Sequence, residues 1–95
     1  MYKPNPIDTS LVKLPEDLLE LSEKIAENVH ENWAKGRISD GWVLGECRND
    51  EKKITPCLVP YCELSEREKD FDRITATETL KLIVALGYEI KKKDT

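Results

Sequence analysis

The sequence is poor in the residues that most site chemistry needs. Of its 95 residues, one is histidine, three are cysteine and four are glycine. The lone histidine, His30, sits in the stretch Glu27–Trp33, "ENVHENW". A zinc-protease helix needs a second histidine one turn later, and that position holds Ala34. Gly36, Gly41 and Gly45 are spaced as turns, so neither a Walker-type phosphate loop nor a dinucleotide fingerprint exists. No acidic calcium loop is present, and the carboxylates follow helix faces rather than pairing for acid–base work.

The cysteines are Cys47, Cys57 and Cys62, an odd number with no C-x-x-C spacing. This argues against a disulfide scaffold and fits a reduced, cytoplasmic protein. A zinc site of the three cysteines with His30 is arithmetically available but lacks close ligand pairs. A nucleophilic pair of His30 with one cysteine is also conceivable. The plainer reading is that His30, on a helix flank, hydrogen-bonds the central segment. No metal, cofactor or catalytic residue is assigned.

Excess positive charge is missing too. The formal charge is −4 and the isoelectric point near 5.0, which disfavours nucleic-acid binding, since that requires a basic patch. Lys91-Lys92-Lys93 reads as a solvated tail. Long apolar runs are absent: Leu82–Leu86 is the longest, far short of the ~20 residues that span a bilayer. Lys3, Pro4 and Pro6 interrupt the N-terminus, where no signal-peptide apolar core follows. A soluble chain without membrane insertion is expected.

What is present suits one small domain, with 39% hydrophobic and 36% charged residues. Residues 1–14 carry two prolines, with a third at Pro15, and read as an extended arm that packs Ile7, Leu11 and Val12 onto a core of residues 15–90, with a basic tail at 91–95. A long helix is predicted from Pro15, in its first turn, to Lys35, stopped by Gly36. Leu18, Leu21, Ile25, Val29 and Trp33 form its apolar stripe, and Glu20, Lys24, Glu27 and Glu31 its wet face.

Asp40-Gly41 and Asn49-Asp50 signal turns, and "GWVLGEC" and "CLVPY" are short extended segments that pair as a small ribbon. Ser65 and Glu68 form a capping box that opens a second helix. Thr75 and Glu78 repeat the pattern, so a short helix from Ser65 to Asp72 and a longer one from Ala76 to Leu86 are expected, with one continuous helix as the alternative. Leu80, Ile83 and Val84 give the later piece its buried face, and Gly87 ends it. The fold class is mainly α (α+β): a long N-terminal helix packed on a C-terminal helix or helices, with a small β element.

Trp42, Arg48, Lys53 and Tyr61 all fall in the central, loop-rich stretch. Arginine beside an aromatic ring can stack on and charge-pair with a small anionic planar ligand such as a nucleotide. The competing reading makes Trp33 and Trp42 core anchors and lets Arg48 and Asp50 tie the loop together.

In order, P-x-D-T-S (Pro6–Ser10), A-E-N-x-H-E-x-W (Ala26–Trp33), G-W-x-x-G (Gly41–Gly45), P-x-L-V-P-Y (Pro56–Tyr61), E-T-L-K (Glu78–Lys81) and A-L-G (Ala85–Gly87) span almost the whole chain. Together they resemble the ryanodine receptor repeat, or RyR domain. The resemblance makes His30, Trp33, Gly41 and Gly45 structural signature residues. It implies a helical domain with a few short strands and no catalytic activity, acting as a regulatory or interaction module. It further implies a stand-alone or excised single copy of the bacterial kind, partnered by another copy or by another protein. The chain departs from the family's usual residues at Leu44, Asn49 and Thr55.

Overall fold

A computed structural model describes residues 1–94. Thr95, the last residue of the expected basic tail, lies outside the described residues. The architecture is a pair of long helices with a small β element, as expected. Helix α1 spans Glu16–Ser39, strands β1 and β2 are Val43–Leu44 and Ile54–Thr55, a 3-10 turn covers Tyr61–Glu63, and helix α2 spans Glu66–Ala85. Among the described residues no helix is long and apolar enough to cross a membrane.

Pro15 is the residue just before α1, not its first turn; its carbonyl accepts from the Leu18 and Leu19 amides. Glu16 and Asp17 place negative charge against the orphan amides of that end. The helix then runs through Gly36, four residues beyond the expected Lys35 stop. It closes instead at Gly41, whose φ of +90° allows the Gly41 amide to reach Ile38 O and the Trp42 amide to reach Arg37 O, both at 3.0 Å. That left-handed stop satisfies two carbonyls, whereas an interior glycine costs only about 1 kcal/mol.

The buried seam of α1 is Leu18, Ser22, Ala26 and His30, at strict four-residue spacing. The predicted stripe lies about 100° to its side and shares only Leu18. Leu21 is exposed, and Ile25, Val29 and Trp33 are half-buried flanks. The physical reason is the close approach of the helices: Ala26 and the α2 residue Ala76 are both essentially fully buried, with Leu80 one turn further along α2. The expected wet face, Glu20, Lys24, Glu27 and Glu31, is exposed.

Helix α2 is continuous. The Ser65–Glu68 capping box forms in full. The one expected at Thr75 does not, because the Thr75 hydroxyl bonds back to Phe71 O at 3.1 Å, as Thr77 does to Arg73 O and Thr79 to Thr75 O. Of the expected later face, Leu80 is buried, Val84 half-buried and Ile83 exposed.

Strand β1 pairs in parallel with β2, Val43 opposite Ile54 and Leu44 opposite Thr55. "CLVPY" is therefore not the ribbon partner; it crosses instead toward α1. The connection folds back on itself through two 2.9 Å bonds between Asn49 and Ile54, with Lys53 at a left-handed φ of 55°. At Gly45, a Cβ would overlap Cγ2 of Ile54, so the strand pair closes only around glycine.

The arm is anchored by a polar residue rather than by Ile7 and Leu11, which are exposed. Thr9 is buried, and its hydroxyl donates to Glu78 Oε2 at 2.6 Å; Val12 is half-buried. The Ser10 amide bonds Asp8 Oδ1, a local turn at the anchor. The whole is flat, 45 × 44 × 23 Å, with a radius of gyration of 16.3 Å. A compact chain of this length has about 12 Å. No bulky side chain among the described residues is fully buried.

Candidate functional site

The four-residue seam of α1 delivers His30 to the junction of α1, α2 and the crossing segment Cys57–Tyr61. His30 is 4% exposed, and its Nε2 lies 2.7 Å from Val59 O. A carbonyl can only accept, so Nε2 carries the proton and donates. Nδ1 faces Asp72 Oδ2 of α2 at 4.0 Å. His30 thus makes the bond to the central segment that the plainer reading called for.

From His30 a stack of rings and cations runs along α1. Trp33 stacks on His30 with centroids 5.5 Å apart. Arg37 lies 5.6 Å from the Trp33 ring and 5.1 Å from that of Trp42, which the Gly41 turn brings back over the helix. On the other side Tyr61 is tilted against His30 at 6.3 Å, and Lys69 Nζ sits 5.6 Å from the Tyr61 ring.

The four residues expected around a ligand are distributed differently. Trp42 is half-buried against Arg37. Lys53 stands beside the same turn, its Nζ donating to Asp40 O at 2.8 Å. Arg48 is exposed and paired with Asp50, Nε to Oδ1 at 2.7 Å, the loop tie of the competing reading. Tyr61 is separate from them: it is buried in the core cluster, and its hydroxyl donates to Glu23 Oε1 at 2.8 Å. Trp42 and Lys53 are brought to one turn; Tyr61 is not.

The Tyr61 hydroxyl also marks a network that no local motif announces. Glu23 on α1 accepts from Arg73 on α2, which in turn pairs with Glu66 and Asp70. Arg73 holds the Glu23 carboxyl below its usual range. Burial first, and the Glu23 carboxylate second, push the Tyr61 hydroxyl up to about 12. Residues 23 and 73 are fifty apart, and no local pattern pairs them.

Beside His30, a groove of about 300 Å³ opens between α1, α2 and the crossing segment. Trp33 and Phe71 supply aromatic surface, the buried Leu64 and half-buried Cys57 apolar surface, and Glu68 and Asp72 carboxylates. Cys57 Sγ donates to Glu68 Oε2 at 2.6 Å, and burial together with that carboxylate raises the thiol above its ordinary range. Glu68 Oε1 takes the Ser65 amide and hydroxyl. These bonds hold Glu68 below its usual range, the Cys57 thiol contributing most. Burial raises Asp72 instead. The raised thiol of Cys57 is bonded to Glu68, and the His30 Nε2 proton is engaged by the Val59 carbonyl. Among the described residues no group of three or more His, Cys, Asp or Glu side chains is arranged to hold a metal ion.

Gly41 and Gly45 thus set the turn under Trp42 and the strand contact with Ile54, and His30 and Trp33 form the centre of the stack. All four positions lie inside the span that a family model matches. The RyR domain model covers residues 2–92 of the 95, and the chain belongs to the RyR domain family.

Proposed function

We propose that the domain is a noncatalytic interaction module whose partner is a protein covering the flank of α2 around Phe71 and Ile74. The observation that carries this reading is the exposure of that flank: Phe71 is 64% and Ile74 59% exposed, three residues apart on one helix face. The thin, flat core supports it, since apolar surface left outside a small fold is available to a partner. The raised Cys57 thiol and the committed His30 speak for binding over catalysis.

Selection from a displayed peptide library tests it. Wild type enriches binders, and a Phe71→Ser, Ile74→Ser variant enriches none. Failure of wild type to enrich any, or saturable hydrolase or transferase turnover lost in His30→Ala, contradicts the proposal. A second copy of the domain is the other candidate for this flank. Sedimentation detects it as a dimer that the same double variant dissolves.

A second reading, a sensor for a small anionic, nucleotide-like ligand, draws on Arg37, whose guanidinium lies 5.1 Å from the Trp42 ring beside Lys53. Arg48 joins only if its bond to Asp50 opens. A panel of nucleotides raises the melting temperature under this reading. No shift at millimolar concentration removes it.

A further inference from the structure

We infer that the groove beside His30 receives an arginine side chain of the partner. The inference rests on the interaction reading above and adds the chemistry of what is recognised. Four-fifths of the Asp72 side chain is buried, yet among the described residues no donor bonds it; His30 Nδ1, at 4.0 Å, is beyond hydrogen-bond length. Glu68, the other carboxylate of the groove, already has its oxygens occupied by Cys57 and Ser65. Among the described residues no lysine or arginine lines the groove. A partly buried carboxylate that has no donor but keeps its oxygens open to the groove is available to an incoming cation.

The aromatic surface narrows the cation further. Phe71 and Trp33 line the same groove as Asp72, and a guanidinium is planar, weakly hydrated and able to stack while presenting two parallel N–H groups. An ammonium is more strongly hydrated and offers no fork. The space, about 300 Å³, lies at the small end of ligand sites, suited to one side chain. Exposed Phe71 and Ile74 continue from it, so the partner presents an arginine flanked by apolar residues. The chain's net charge of −4 favours a basic partner over a second acidic copy.

Two-dimensional amide NMR with N-acetyl-arginine amide as the probe tests this. Saturable shifts at the Trp33 indole, Phe71 and Asp72 are expected. Binding should weaken by about tenfold or more in Asp72→Asn, and equally with the uncharged citrulline analogue. Phe71→Ala, an exposed position, gives a second variant if Asp72→Asn perturbs the fold. Equal binding of citrulline, retained affinity in both folded variants, absence of saturable shifts, or preferential shifting of the same signals by AMP would each overturn the inference. If arginine fails while library-selected peptides still lose binding on changing Phe71 and Ile74, only the groove assignment falls.

Discussion

His30 Nε2 donates to the carbonyl of Val59 across 2.7 Å and 29 residues of chain, fastening α1 to the segment that crosses from β2 to α2. Both groups are held where water cannot easily replace either, so the bond fixes the junction on which the groove is built.

His30→Ala should therefore destabilise the domain by about 2–4 kcal/mol, combining an unsatisfied carbonyl with a cavity. His30→Gln, which keeps a donor on a long side chain, should recover part of the loss. Urea denaturation of the three proteins measures both. Equal stability of wild type and the alanine variant would show that the bond contributes nothing.

The legible part of this fold was its periodicity and punctuation. Ser65 and Glu68 announce a helix start, and Asp40-Gly41 announces a turn, because each acts within a few residues. On α1 the hydrophobic stripe and the buried seam differ by one position. Leu21, Ile25, Val29 and Trp33 outrank Ser22, Ala26 and His30 in hydrophobicity, yet the helices approach along the small residues. Similarly, Gly36 reads as a stop, yet α1 continues through it and ends at Gly41, where the left-handed φ lets the Gly41 and Trp42 amides take the Ile38 and Arg37 carbonyls. Around the site, the bond from His30 to the central segment is legible from its place on the helix flank. The Glu23–Arg73–Tyr61 network and the Cys57–Glu68 bond are not, since they join residues set together only by tertiary packing.

Gly45→Ala should cost about 1–3 kcal/mol, because the added methyl meets Ile54 Cγ2. In an Ile54→Ala background that carbon is gone and the glycine substitution should become nearly neutral. A double-mutant cycle in urea reads the coupling. Additive effects would mean the strands separate without cost.

The Glu23–Arg73–Tyr61 network sets two pH dependences. The folded pKa of Glu23 is depressed, chiefly by Arg73, so its contribution is present above the ordinary glutamate range and is lost as pH falls through the lower folded value. Acid denaturation of Glu23→Gln should lack that component. Tyr61 is raised from 10.0 to about 12, so its stabilisation is full below 10 and declines as pH rises between those values. Ultraviolet titration should show one of the three tyrosines ionising late, a phase absent in Tyr61→Phe. Simultaneous titration of all three would contradict the assignment.

Cys57 is half-buried and bonded to Glu68, whereas Cys47 and Cys62 are exposed. A thiol-reactive dye at neutral pH should label two cysteines quickly and the third at least about tenfold more slowly, until urea is added. Three equal rates would place Cys57 outside the junction.

The central claim is that the Phe71–Ile74 flank of α2 meets a protein partner. Isothermal titration of a library-selected peptide into wild type and into folded Phe71→Ser tests it most directly. The expected result is one-to-one binding to wild type and at least about tenfold weaker binding to the variant. Equal affinity for the two proteins would contradict the account.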